Sequence, residues 1–229
     1  MPPKKAFKKR PSKDKKQDQR IKALESMVLK TIENKQINYS NTNLAISSTG
    51  VNDNAFLQVR VGPDDGAAQG DTARIGNSLT LYKQQYRLNF VGLNPDNLAG
   101  DRWNQIRCII AEPLDGNQAL VLSDILQYPS YVLYNNLVFT SPYTTKTATN
   151  RRYKIHMDKS FELNATAKGA TRVIKHDVKW KNGKVVEFAG PGTEQVPTNH
   201  NMSIMFISDS GSVLHPTVSY AVRSTYKDA

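Results

Sequence analysis

Few residues in this 229-residue chain have the types and spacing that chemistry needs, apart from one set of cations. Its four histidines, His156, His176, His200 and His215, stand at no metal-binding or triad spacing with a partner. His156 alternates with apolar neighbours along residues 152–163, which puts it on the polar, solvent-facing side of a strand. His176 shares a face with Ile174 and Trp180 and reads as a core or interface histidine. The single cysteine, Cys108, lies in an apolar row with Ile106 and Ile110, so packing explains it better than nucleophilic chemistry. One cysteine also excludes a disulfide framework and a multi-cysteine zinc site, and it fits a reducing site of synthesis. Gln69-Gly70-Asp71 and Gly190-Pro191-Gly192 are loop glycines with no helix behind them, so neither reads as a phosphate-binding loop. Asp64, Asp65 and Asp71 form an acidic loop cluster that a cation or plain solvation would satisfy. No aromatic residues interleave with basic ones as an RNA-recognition sheet requires. Nothing here assembles a catalytic set, and the chain is not expected to be an enzyme or to require a cofactor.

The cations are another matter. Lys4, Lys5, Lys8, Lys9, Arg10, Lys13, Lys15, Lys16 and Arg20 face only Asp14 and Asp18 within residues 1–20, a local charge of +7 out of a formal +11 for the whole chain. Lys22 extends the run, while residues 36–229 carry only +3. A cationic leader on a nearly neutral body is suited to neutralising phosphates. The same charges would also serve a nuclear import signal or a solubility tail.

These charges need an element to carry them. Residues 1–19 hold three prolines and almost no apolar side chains apart from Phe7, so they cannot bury enough surface to offset their ordering entropy. They read as a disordered arm. From residue 20 to 36, Ile21, Leu24, Val28 and Ile32 recur at spacings of three and four, which predicts an amphipathic helix. Its narrow apolar stripe must pack either on the chain's own body or on copies of itself.

From residue 37 to 229 the period becomes two. Apolar rows over 37–46, Leu57-Val59-Val61, Tyr82-Tyr86-Leu88-Phe90, Ile106-Cys108-Ile110, 152–163, Ile174-Val178-Trp180, 184–189, Met202-Ile204-Phe206 and Val218–Tyr226 give about nine strand candidates. Asn182-Gly183 reads as a two-residue hairpin turn joining neighbouring strands. Loops at 62–77, 113–150 and 189–200 separate the strands, with one helical turn expected at Ser123–Leu126. Ten Tyr against two Trp, with much Thr and Asn, fits a sheet-and-loop protein. The pattern is an all-β antiparallel sandwich or barrel. No stretch approaches the ~18 apolar residues of a membrane span. The lysine-rich start with no apolar block behind it does not read as a secretory signal.

Several segments in order carry a resemblance: Thr31-Ile32-Glu33-Asn34-Lys35, Gln69-Gly70-Asp71 leading to Arg74-Ile75-Gly76-Asn77, Arg152-Tyr153-Lys154-Ile155 with Asp158-Lys159, Ile207-Ser208-Asp209-Ser210, and Tyr226-Lys227-Asp228-Ala229. Together, behind a basic arm and a helix, they resemble the single jelly-roll coat proteins of satellite tobacco necrosis virus and of related small circular single-stranded DNA viruses. The resemblance implies an eight-stranded antiparallel jelly roll of two four-stranded sheets. It further implies a T=1 virion shell of sixty copies, helices clustered at three-fold axes, and arms directed inward onto a single-stranded genome. The long, lysine-rich arm leans towards DNA cargo. Synthesis in the host cytoplasm, with import to the nucleus through the arm, would follow, and no membrane partner is implied. The resemblance also maps calcium ligands between subunits onto Glu33 and Asp228, with Ser78 a poor match for the loop ligand. A salt bridge from either carboxylate to a lysine would serve equally. A tight Asn182-Gly183 hairpin departs from the pattern, since this fold usually crosses between sheets there. Outside the family, a non-viral nucleic-acid-binding β-barrel is the alternative, against which the near-neutral body speaks.

Overall fold

The computed structural model describes residues 13–31, 34–59, 74, 76–93, 102–114, 119–144, 153–164, 170–189, 196–211 and 214–228. The chain divides into two units, residues 1–34 and 35–229. The first contains helix α1 (Lys13–Thr31). The second runs β1 (Lys35–Ala45), β2 (Val51–Asp53), β3 (Ser78–Val91), β4 (Trp103–Pro113), the short turns α2 (Leu122–Ile125), α3 (Tyr131–Tyr134) and α4 (Leu137–Thr140), then β5 (Tyr153–Asn164), β6 (Thr171–Glu187), β7 (Ser203–Ser208) and β8 (Thr217–Asp228). The helix thus begins earlier than the apolar periodicity indicates, because Lys, Gln and Asp between 13 and 19 are adequate helix formers once a stripe lies behind them. Residues 13–19 belong to it, and β1 opens at Lys35 instead of 37.

Sheet 1 has the order β1-β8-β3-β6 and sheet 2 the order β2-β7-β4-β5. Strand β1 pairs with β8, β2 with β7, β3 with β6 and β4 with β5, all antiparallel. The first strand therefore meets the last, the second the seventh, and so inward, as though one long antiparallel ribbon had been wound into a sandwich. That winding is the jelly roll, and it leaves β1 and β6 as the edges of sheet 1 and β2 and β5 as the edges of sheet 2.

The core between the sheets contains Tyr86, Leu88 and Phe90 from β3, Ile106, Cys108 and Ile110 from β4, Met157, Phe161 and Leu163 from β5, and Val218, Tyr220 and Val222 from β8. Phe90 packs edge-on against Phe161 and Phe206, with centroids 4.8 and 5.7 Å apart. These are the rows the alternation predicts. Gln84, which alternation places on the Tyr86 face, is also buried; it donates to Ser224 Oγ (3.0 Å) and accepts from Tyr86 Oη (2.9 Å). A buried amide so satisfied costs little.

Three local readings of the sequence need correction. Asn182-Gly183 does not turn a hairpin: β6 runs unbroken past it, and Lys179 pairs with Lys83 while Lys184 pairs with Leu81, so residues 180–183 bulge out opposite Tyr82. Gly183 supplies the positive φ of +73° that the bulge needs. The same irregularity shifts the inward face of β3, so that Leu79 and Leu81 are buried beside Gln84, Tyr86, Leu88 and Phe90, and Tyr82 is not. Finally, Phe56, Leu57 and Val59 are buried but form no strand. Leu57 and Val59 plug the sandwich against Leu79, Leu81, Val186, Phe188 and Tyr226. Alternating apolar residues in an irregular plug mimic a strand because both bury one side only. With the Leu57-Val59 candidate lost, β2 added and 171–187 fused, nine candidates become eight strands.

Sheet 2 has a second apolar layer on its outer face. Ile109 and Ala111 of β4 and Met205 and Ile207 of β7 meet Leu120, Leu122, Ile125, Leu126, Val138 and Phe139. Strands β4 and β7 are therefore buried on both faces, which explains the unbroken apolar run Ile109-Ile110-Ala111. The helical turn expected near 123–126 is present as α2.

Candidate nucleic-acid interface

Lys4, Lys5, Lys8, Lys9 and Arg10 lie outside the described residues. Lys13, Lys15, Lys16, Arg20 and Lys22 all lie on α1, and Lys15, Lys16, Arg20 and Lys22 are exposed. Lys16 and Arg20 are one turn apart on the same side of the helix. Ile21 and Leu24 are also exposed, at 53% and 61%. Half of the predicted cations thus stand on a helix whose 19 residues span about 28 Å.

Glu33 lies outside the described residues. Asp228, at the end of β8, forms an ion pair with Lys35 (2.6 Å). Its Oδ1 is buried with no hydrogen-bond partner among the described residues. Nearby, Arg74 is fully buried, donates to the carbonyls of Gly76 and Val59, and lies 4.1 Å over the Phe188 ring. Burial pushes the Arg74 guanidinium down, partly opposed by the Asp228 charge. Among the described residues no group of three or more His, Cys, Asp or Glu side chains converges as a metal-ligand set.

Several buried or half-buried titratable residues among those described fasten the body. At the β1/β2 edge, Asp53 of sheet 2 accepts from Tyr39 Oη (2.6 Å), Asn41 Nδ2 (3.3 Å) and Tyr220 Oη, all on sheet 1, and from the Ala55 amide (3.0 Å). Burial alone would raise the Asp53 carboxyl, but these donors, led by Tyr220, hold it below the usual range. Tyr39 is pushed up to about 12 by burial and by the Asp53 charge, and Tyr220 is raised for the same reasons.

At the opposite edge Glu112, on β4 and only 1% exposed, draws together three cationic or ionisable groups. His156 Nε2 lies 3.0 Å from Oε2, His200 Nδ1 lies 3.1 Å from Oε1, and the Lys184 ammonium pairs with the same oxygen. Lys184 belongs to β6 of sheet 1, so this cluster also ties one sheet to the other. His156 is therefore not a surface residue; its side chain is 8% exposed and packs edge-on to Trp180. Alternation fails here because the pairing of β5 with β4 skips a residue between Ile110↔Met157 and Ala111↔Ile155, so Tyr153 and Ile155 turn to the outer layer while His156 meets Glu112 and Trp180. His176 is half-buried beside Tyr86, as its row predicts, and His215 bonds Ser210 Oγ (3.1 Å). Cys108 is fully buried, and burial raises its thiol well above the ordinary value, which leaves it inert.

The outer layer of sheet 2 has its own fastener. Arg107 of β4 makes a two-pronged pair with Asp158 of β5 (2.9 and 2.6 Å) and donates to the carbonyls of Val138 (2.7 Å) and Ser141 (3.3 Å); Tyr143 Oη completes the set on Asp158 (2.8 Å). The sequence hints at the Glu112 and Arg107 sites only as charges in otherwise apolar strands.

No helix of the described residues is long and apolar enough to cross a membrane. No protein-family model and no curated protein matches the chain. Among solved structures it is similar to a chain of Desmodium yellow mottle tymovirus, with TM-score 0.38 and 8% identity over 86% of this chain and 88% of that one. It is also similar to a chain of mud crab tombus-like virus, with TM-score 0.37 and 12% identity over 86% and 82% of the respective chains.

Proposed function

We propose that this chain is the capsid subunit of a small virus, building a shell from its jelly roll and holding a single-stranded genome through its cationic leader. The observation that carries the reading is the combination of the ribbon-wound jelly roll with a leader that holds +7 of the chain's +11 charge. A jelly roll whose interior is packed with side chains such as Tyr86, Phe90 and Phe206 offers its surfaces for contact instead of an internal ligand chamber. The five ordered motifs of the coat-protein resemblance supply the finer reading: a T=1 shell of sixty copies, with α1 helices gathered in threes through Ile21 and Leu24. Sixty leaders at this charge bring roughly 400 positive charges, which suits a genome partly neutralised by the arms. DNA is favoured over RNA by the length and lysine content of the leader. Calcium enters this reading only as an interface ion, with Asp228 Oδ1, Glu33 and oxygens of a neighbouring copy making up the six to eight ligands it takes.

A second reading keeps the nucleic acid and drops the shell, making the protein a non-viral nucleic-acid-binding β-sandwich. It is favoured by the register of sheet 1, which sets Lys83, Arg87, Lys175, Lys179 and Arg223 on one face despite the body's small net charge.

The leader's role is tested by deleting residues 1–20 and measuring nuclease-protected nucleic acid. The full chain is expected to protect nucleic acid and the truncated chain to protect little while still assembling. Equal protection by both would remove the leader from genome binding.

A further inference from the structure

The register of sheet 1 fixes which side chains share its outward face. Reading across β1, β8, β3 and β6, one row is Gln36, Thr225, Lys83 and Lys179; the next is Asn38, Arg223, Gln85 and Asp177; the third is Ser40, Ala221, Arg87 and Lys175. These twelve positions hold five cations and one carboxylate, and Ala221 is their only apolar residue. Lys175, Lys179 and Arg223 are exposed.

Two features mark this face as more than a solvated surface. Lys83 stands directly across from Lys179, and Arg87 directly across from Lys175. Like charges directly opposite on neighbouring strands destabilise a sheet. The lone carboxylate, Asp177, sits in the row between them and pairs with both Lys83 (3.1 Å) and Arg87 (2.8 Å). The second feature is contrast: on the outward face of sheet 2, Ile109 and Ala111 of β4 and Met205 and Ile207 of β7 form an apolar patch already covered by residues 120–139.

We propose that the outward face of sheet 1 is a second binding site for a nucleic-acid phosphate backbone, carried by the body and separate from the leader. Alternate residues on one strand stand about 6.6 Å apart, so the cations form a flat grid of donors. Gln36, Asn38, Gln85, Ser40 and Thr225 add the neutral hydrogen-bond donors that backbone contacts commonly use. No aromatic side chain stands among the twelve, so bases would not stack here and binding would be independent of sequence. An acidic protein surface is a poorer fit, because protein interfaces bury an apolar centre and are depleted in Lys. The site extends the nucleic-acid part of the function proposed above and does not require a shell.

The test uses the full-length chain and a fluorescent oligo-dT strand titrated across a range of salt. The variant Lys175→Gln/Lys179→Gln/Arg223→Gln removes three cations, so the slope of log affinity against log salt is expected to become shallower by about 2. A leader variant, Lys4→Gln/Lys5→Gln/Lys8→Gln, is measured beside it. An unchanged slope in the sheet variant with a shallower one in the leader variant overturns the sheet site and leaves the leader's role standing. The reverse result supports the sheet site and counts against the leader. Circular dichroism verifies folding, and Asp177→Asn gives an independent reading because it releases Lys83 and Arg87. It is expected to tighten binding, and weaker or unchanged binding overturns the proposal. An unchanged slope with altered sedimentation of the sheet variant would assign the face to protein contact instead, which also overturns it.

Discussion

His156 Nε2 lies 3.0 Å from Glu112 Oε2, and both side chains are nearly closed to solvent although they begin on different strands of sheet 2. Burial, with Lys154 adding to it, holds the His156 imidazole down to about 4, and burial with Lys184 does the same for His200. Both rings are neutral hydrogen-bonding partners near pH 7, while Lys184 supplies the charge opposite Glu112.

A pH dependence follows from the sign of these shifts. In the unfolded chain each histidine takes up its proton near 6.5, and in the folded chain only near 4. Between those values the unfolded state binds more protons, so this contribution to stability is complete above 6.5 and lost as pH falls towards 4. Thermal unfolding followed from pH 7 to 4.5 is expected to show a loss on the order of 2 kcal/mol per histidine. His156→Gln/His200→Gln should flatten that window. Asp177, held at about 2 chiefly by its hydrogen bond from Arg87, acts only below pH 4 and does not confuse the result.

Arg107 is expected to be the single most costly charge to remove. Arg107→Ala leaves Asp158 half-buried without its two-pronged partner and frees the carbonyls of Val138 and Ser141. Breaking such a pair costs roughly 3–5 kcal/mol. Hydrogen exchange should localise the damage to residues 120–143, and a uniform loss across both sheets would contradict the fastening role.

Gly183→Ala tests the bulge. A Cβ there would collide with Thr80 and crowd Tyr82, at a φ of +73° that side chains rarely adopt. The expected cost is about 1–3 kcal/mol in a denaturant titration. Gly76→Ala is a useful comparison, because its φ is also positive but a Cβ would meet nothing within 4 Å. If the two cost the same, crowding at the bulge is unimportant.

How much of this was legible in the sequence depends on whether a residue's surroundings are local. The rows of β4 and β8, and those of β3 and β5 beyond their irregularities, were readable because alternation needs only neighbouring residues. The cationic leader was readable for the same reason. Asn182-Gly183 misled because its hairpin chemistry also suits a bulge, and only the pairing with β3 separates the two. The Glu112 cluster showed in the sequence only as one charge in an apolar strand: its members come from positions 112, 156, 184 and 200, and only the winding of the ribbon brings them together. The basic face of sheet 1 was likewise hidden, since net charge averages over faces that register keeps apart.

The proposed function requires copies of this jelly roll to close into a shell. Electron microscopy of the purified full-length protein at physiological salt tests it most directly. Sixty bodies of this size, tiled on a sphere, are expected to give uniform particles about 20 nm across. A protein that remains monomeric at low and high salt, with no closed particles in any field, would contradict the claim.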